Sequence, residues 1–315
     1  MSELRTKFIV NPEAGSCYVR GGWPHINRQL KKTDIPFDYE FTEGAGQAIE
    51  IASRAIKSGY NYLVAVGGDG TVNEVANGIL RSNNSLNVIL GVVRAGTGNA
   101  FSFSLDAASN CQDIDAYSFL CGQRRDLIDV GVVQCWNRGK LVERFFLNEA
   151  STGFSTEIVR AWESMPIRFG KSVNIGLRTV VGYMSLANHR NKNVRLCVGN
   201  EVESIPICAV MVSNGRYCAN KMLIAPHANF DDGLLNTIIV GNISKFKILR
   251  IVPTLYKGNY LKYPEIREKT TEYIKVESDE HLLVEADGEI LGECPASFWV
   301  KPLALTVVVP TFHTN

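Results

Sequence analysis

No stretch of this 315-residue chain approaches the roughly 20 consecutive apolar residues that a membrane-spanning helix needs. The best candidate, Val173 to Ala187, is short and carries Arg178. Met1 to Ser16 is a charged start, a short apolar run and a loop, which does not read as a signal peptide. Net charge is nearly absent, +1, so bulk electrostatics give no reason to expect nucleic acid, and an anionic partner has to be met by a local patch. The eight cysteines show no C-x-x-C pair and no histidine at metal-ligand spacing, leaving reduced thiols in a cytoplasmic protein as the expectation. Repeats, low-complexity tracts and obvious flexible linkers are missing too. So are both familiar nucleotide fingerprints: there is no G-x-x-x-x-G-K-[ST] and no G-x-G-x-x-G opening a helix.

What is there is a globular composition, 45% hydrophobic and 21% charged, on a length that suits two domains. The first 130 residues alternate strand and helix signals. Phe8-Ile9-Val10 is a short apolar run ending in the loop Asn11 to Gly15. Gly46 to Ser58 reads as a helix. Tyr62 to Val66 reads as a buried strand ending at Gly67-Gly68, and Val72, Val75, Ala76, Ile79 and Leu80 then mark one face of a helix. Val88 to Val93 is another buried strand, ending near Gly96 and Gly98. Such alternation predicts a mostly parallel sheet with helices on both faces, and ligands in such sheets bind beyond the carboxyl ends of the strands, where all three glycine-bearing loops fall.

From about Asp126 strand-like runs dominate: Val130–Val133, Phe145–Leu147, Val194–Val198, Ile205–Val212, Leu234–Val240, Tyr273–Glu277, Leu282–Ala286 and Leu303–Val309. Gly199-Asn200, Asp232-Gly233 and Asp287-Gly288 punctuate them as turns. An antiparallel β domain is expected, interrupted by a helical stretch from Ser155 to Asn188. That stretch carries Arg160, Arg168, Lys171 and Arg178, a solvated helix face or a basic surface for a membrane.

The most informative segment is Gly67-Gly68-Asp69-Gly70-Thr71-Val72-Asn73-Glu74-Val75, which joins a buried strand to an amphipathic helix. Glycines let backbone approach an anion without a Cβ in the way, and N–H groups at a helix start favour negative charge. Asp69 cannot face a phosphate directly, so its sensible role is to hold Mg²⁺. A plain strand-to-helix turn is the alternative. In the next loop, Arg94 to Asn99, Thr97 and Asn99 suit nucleotide or metal contact, or Asn99 simply caps a helix.

These residues resemble the diacylglycerol kinase catalytic-domain family, shared by diacylglycerol, sphingosine and ceramide kinases. The resemblance rests on Gly67 to Val75 with Asn77-Gly78, Asn11-Pro12 with Gly15, Gly96-Thr97-Gly98-Asn99, Asp126 to Gly131, Phe146-Leu147-Asn148 with Gly153-Phe154, Ala225-Pro226 with Asp232 to Leu235, and Asp287-Gly288-Glu289. It implies an α/β nucleotide-binding domain over 1–130, a β-sandwich acceptor domain over 131–302, and a last strand in 303–315 returning to the first, with the active site in the cleft between the domains. It implies ATP contacts from Asn11, Pro12, Glu13, Ala14, Gly15, Thr42, Gly67, Gly68, Asp69, Gly70, Thr71, Val72, Asn73, Thr97 and Asn99. Asp287 is then the general base, with Glu289 beside it in a network including Asp69 and Asn99. The Asp232 loop resembles a structural Mg²⁺ site completed by Asn229 and Leu234. Ala100 stands where bacterial diacylglycerol kinases usually carry Asp, as in sphingosine kinases. Ala14 replaces a small hydroxyl residue.

Phosphoryl transfer to an alcohol needs a cradled triphosphate, a metal and a proton-accepting carboxylate, and the chain offers a candidate for each. The expected activity is an ATP-dependent lipid kinase, peripheral at a membrane it visits reversibly, and a homodimer is compatible with it. Two rival readings remain. NAD kinases share the Gly-Gly-Asp-Gly loop and use an Asn-Glu pair like Asn148-Glu149; a non-catalytic regulator of the same fold would have lost Asp69, Asp287 or Glu289. Asp287-Gly288 also reads as a plain hairpin turn.

Overall fold

A computed structural model describes residues 4–32, 36–83, 85–96, 98–105, 124–164, 180–182 and 184–309. They fall into two compact units, one within Met1–Ile128 and Leu303–Asn315, the other within Asp129–Pro302.

The first unit runs β1 (Thr6–Val10), α1 (Ala14–Leu30), β2 (Phe37–Phe41), α2 (Gln47–Lys57), β3 (Tyr62–Gly67), α3 (Asp69–Leu80), β4 (Ile89–Arg94) and α4 (Ala100–Leu105). Strand order is β2-β1-β3-β4, every pair parallel. Beside β4 lies the end of a long final strand, β17 (Glu289–Val309), with Thr306 opposite Ile89, also parallel. Phe8 to Val10 and Leu63 to Val66 are fully buried, as central strands covered on both faces must be. Val19, Trp23 and Leu30 of α1 pack on Phe8, Val10, Val64 and Val66. On α3, Val72, Val75, Ala76, Ile79 and Leu80 are all buried, the face that the periodicity predicts. A Cβ on Gly78 would lie 2.6 Å from Ala52 Cβ and 2.7 Å from the Ile49 carbonyl oxygen, so glycine there lets α2 and α3 pack backbone to backbone.

The second unit starts partway along β5 (Arg124–Asn137), which pairs with β6 (Lys140–Phe146) and β17. Its main antiparallel path joins β14 (Ile266–Thr271), β13 (Leu235–Val240), β10 (Ala209–Ser213), β7 (Glu149–Gly153), β16 (Leu283–Ala286) and β17 in that order. A second run pairs β17 with β15 (Tyr273–Glu277), then β8 (Lys192–Val198) and β9 (Glu201–Ile207). The short hairpin β11 (Tyr217–Cys218) with β12 (Met222–Leu223) stands apart. Between these two antiparallel runs Val194, Leu196, Val210, Val212, Ile274, Val284 and Phe298 form one apolar core. A second core, with Phe154, Ile224, Ile238, Ile248 and Tyr260, lies under α5 (Phe154–Glu163) and α6 (Lys245–Ile251).

One expected strand is broken in two. Ile205–Val212 is not one strand but the end of β9 and most of β10, broken at Cys208, whose N–H donates to Val240 O at 2.8 Å. Of the helical stretch expected over Ser155 to Asn188, α5 and helical residues 180–182 and 184–188 are described. Arg168, Lys171 and Arg178 lie outside the described residues.

Candidate active site

Three loops leave the carboxyl ends of β1, β3 and β4, and their side chains lock them to one another. Asn11 donates from Nδ2 to Thr71 Oγ1 at 3.0 Å, accepts the Glu13 N–H on Oδ1 at 3.0 Å, and through its own N–H bonds Val66 O at 2.9 Å. The Pro12 carbonyl accepts Arg20 N–H, and Glu13 forms an ion pair with Arg20. Ala14 opens α1, and Gly15 has φ +64°. Thr42, just past β2, is buried and donates its N–H to Val10 O at 2.9 Å.

Gly68 and Gly96 bring the β3 and β4 loops into backbone contact. A Cβ on Gly96 would lie 2.3 Å from Gly68 Cα, and one on Gly67 would lie 2.4 Å from Thr71 Oγ1. Gly70 differs: it is exposed, and a Cβ there would meet nothing within 4 Å beyond its chain neighbours and its own helix backbone. Asn99, at φ 54°, accepts Gly96 N–H on Oδ1 at 3.1 Å and returns a bond to Gly96 O at 3.0 Å, while its own carbonyl accepts Phe103 N–H. It is thus both loop brace and start of α4. Thr97 lies outside the described residues.

Asp69 accepts the Phe101 N–H on Oδ1 at 3.1 Å, so it caps α4 from the neighbouring loop. Burial pushes its carboxyl above the usual range, against the backbone N–H groups of Phe101, Ala100 and Asn99, which favour the charged form. Val72 turns its side chain into the core, and Asn73 Oδ1 accepts Asn77 Nδ2 at 3.0 Å, so both side chains are spent inside. Glu74 binds Gly46 N–H at 2.8 Å and Ala48 N–H at 3.1 Å, capping α2 from outside. Residues of this motif therefore cap two neighbouring helices and brace a third loop, leaving Gly70 exposed.

In the second unit Asp287 and Gly288 form the two-residue turn between β16 and β17, at φ 47° and 84°, the positive pair a type I′ hairpin needs. The Asp287 carboxylate receives the N–H groups of Leu147, Asn148 and Glu149 at 2.7, 2.9 and 3.2 Å. Glu289 forms an ion pair with Arg144. Two carboxyl groups that the sequence reading left out of the catalytic set sit beside Asp287. Burial raises the Glu149 pKa to about 7; a Cys218 hydrogen bond opposes this and the Asp287 charge adds to it. Glu285 is raised well above the carboxylate range by burial and by the Glu149 charge, though Ser151 and the Gly288 N–H donate to it.

Residues 5–133 match the diacylglycerol kinase catalytic domain, and residues 148–309 match the YegS C-terminal NAD kinase beta sandwich-like domain. This chain belongs to the diacylglycerol kinase catalytic-domain family. The diacylglycerol kinase of Staphylococcus saprophyticus is 27% identical over 99% of this chain and 97% of its own length. That of Staphylococcus aureus strain JH9 is 26% identical, over 99% and 94%. A diacylglycerol kinase structure from Bacillus anthracis str. Sterne shares the fold, with TM-score 0.70 at 19% identity over 98% of each chain. Yeast NADH kinase follows at TM-score 0.52 and 8% identity, covering 99% of this chain and 85% of its own. The α/β half with its parallel sheet and the β-sandwich half are thus the fold of this family.

A kinase of this family needs room for a triphosphate and a divalent ion. The exposed, side-chain-free backbone at Gly70 fits the first. For the second, no group of three or more His, Cys, Asp or Glu that could hold a metal occurs among the described residues. Mg²⁺ in phosphate sites takes one or two carboxylates together with phosphate and water oxygens, so Asp69 alone fits that pattern, although one of its oxygens already serves α4. In the loop compared with a structural Mg²⁺ site, Asn229 and Asp232 are exposed, and Asp232 Oδ1 accepts the N–H of Leu234 at 3.0 Å. The fully buried Asp129, absent from the sequence-derived metal set, accepts Gly233 N–H at 2.7 Å and braces this loop.

Proposed function

We propose that the protein transfers the γ-phosphoryl group of ATP to a hydroxyl of a diacylglycerol-like or sphingoid lipid. The observation that carries this is the likeness to relatives named diacylglycerol kinase, which runs through both halves of the chain and not the nucleotide-side half alone. In this reading residues 1–130 with 303–315 bind nucleotide, and 131–302 receive the acceptor. Bound MgATP supplies an electrophilic phosphoryl group and neutralises the charge that builds on it.

The chain's own residues do the rest. Backbone N–H groups at the start of α3, where Gly70 is exposed, attract phosphate oxygens. Loops Asn11 to Gly15, Thr42, Thr97 and Asn99 complete the grip, with Thr71, Val72 and Asn73 contributing through their backbone, and Asp69 holds the ion. Asp287 receives the hydroxyl proton. Its three amide donors fix the direction of the carboxylate that receives the proton. Glu289 works beside it, and Glu149, titrating near neutrality, is the next group able to hold a proton. Asn229, Asp232 and Leu234 are proposed for a structural Mg²⁺. The protein works peripherally at a membrane from the cytoplasmic side.

Release of ADP, measured with diacylglycerol, sphingosine and NAD offered separately, tests this. Release that depends on one of the lipids is expected. Release that depends on NAD, or on no acceptor, contradicts the proposal.

A further inference from the structure

The chain is nearly neutral, yet Ser244 to Tyr263 carries Lys245, Lys247, Arg250, Lys257 and Lys262 and no acidic residue. This segment forms α6 and two 3₁₀ turns, Val252–Lys257 and Asn259–Lys262. One side anchors it: Ile248, Ile251 and Tyr260 are buried in the second core of this unit. Apolar side chains are also exposed along it: Phe246 is 83% exposed, Tyr256 52% and Leu249 38%. Among the described residues only Lys247 of the five cations is ion-paired, with Glu265. Lys245 donates from Nζ to Ala187 O, tying the start of α6 to helical residues 184–188, where Met184 is 66% exposed. A segment that exposes a phenylalanine and a tyrosine and carries four cations with no ion pair among the described residues suits an interface that is apolar inside and anionic at its rim.

We propose that Phe246, Leu249 and Tyr256, with Lys245, Arg250, Lys257 and Lys262, dock the protein on an anionic lipid bilayer. The surface itself is argued from exposure and charge; that a bilayer occupies it rests on the lipid-kinase reading above. Basic side chains reach phospholipid headgroups while the aromatic rings enter the headgroup–acyl boundary. The far end of the segment connects this surface to the acceptor-side carboxylates. Tyr260 donates its hydroxyl to Ile224 O and packs in one core with Cys218, the hydrogen-bond partner of Glu149.

The test is sedimentation of the full chain, without ATP, with vesicles of phosphatidylglycerol in phosphatidylcholine and with phosphatidylcholine alone. The wild type is expected to sediment with the anionic vesicles and to be released by salt. Each cation near such a surface is worth about fivefold in partitioning, so Arg250→Gln with Lys257→Gln weakens binding by about 25-fold. Phe246→Ala weakens it by about tenfold while leaving the salt dependence in place. Both variants replace exposed side chains, and turnover of a short-chain acceptor dissolved below its micelle threshold stays at the wild-type rate. No sedimentation of the wild type overturns the inference. So does wild-type sedimentation of both variants, which moves the contact elsewhere, such as the basic stretch with Arg160, Arg168, Lys171 and Arg178. Vesicle binding that depends on α6 but comes with no lipid-dependent turnover removes the kinase reading and leaves the docking surface standing.

Discussion

Replacing Gly70 by Ala separates a phosphate cradle from a mere turn, because the substitution is harmless to everything except a ligand. Gly70 is the second residue of α3, exposed, with nothing beyond its chain neighbours and its own helix backbone within 4 Å of a new Cβ. Alanine is the better helix former by up to about 1 kcal/mol, so stability holds or rises, by about 2–4 °C in Tm at most. A methyl group at this point nonetheless covers the N–H groups at the helix start. Losing one amide bond to a charged phosphate costs about 1.5–3 kcal/mol, or about 10- to 150-fold in ATP affinity. Calorimetric titration with ATP, beside a thermal melt of the same preparation, reads both quantities. A folded Gly70→Ala protein that binds ATP within twofold of wild type refutes the cradle. Gly96→Ala is the contrasting case. Its Cβ would lie 2.3 Å from Gly68 Cα and 2.9 Å from Asn99 Oδ1, so the two loops must part, and both stability and ATP affinity fall together.

Asp69→Ala abolishes Mg²⁺-dependent turnover and also lowers stability by about 0.5–2 kcal/mol, since α4 loses its cap; a melt unchanged from wild type contradicts the capping role. Asp287→Asn keeps the turn but swaps a proton acceptor for an amide, so kcat falls by about 10²-fold or more. A lower Tm with kcat intact makes Asp287 an anchor for the Leu147 to Glu149 amides and nothing else. The Glu149 carboxyl has a folded pKa of about 7, above the value of about 4.3 for an unfolded chain. The native state therefore binds more protons between those values, and the stability it contributes is full below about pH 4 and lost as pH rises through about 7. The urea midpoint is expected to fall from pH 6 to pH 8 in wild type and to fall less in Glu149→Gln; equal slopes refute the assignment.

Much of the first unit was legible because parallel strands buried on both faces read as continuous apolar runs, as Tyr62 to Val66 does, and because Gly67 to Gly70 has no cheap use but close backbone approach. α1 was not legible: Gly21, Gly22 and Pro24 lie inside it, and those residues signal a loop. β2 was missed because Phe37 to Phe41 is a half-exposed outer strand with charged residues between its aromatics. The Asp287-Gly288 hairpin was readable from its turn chemistry. What could not be read was which carboxylates share its surroundings, because Glu149, Glu285 and Asp287 meet only through the pairing of β7 with β16. Glu74 stood inside a recognised motif, yet its work as the cap of α2 depends on α2 lying against α3. Asp129 braces the Asp232 loop from a hundred residues away, beyond any local pattern.

The most direct measurement is where the γ-phosphoryl group goes. With γ-labelled ATP, Mg²⁺ and mixed micelles carrying diacylglycerol or sphingosine, the account predicts label in the organic-soluble lipid fraction for wild type and its near absence for Asp287→Asn. Label found on added NAD, or only as inorganic phosphate, contradicts it.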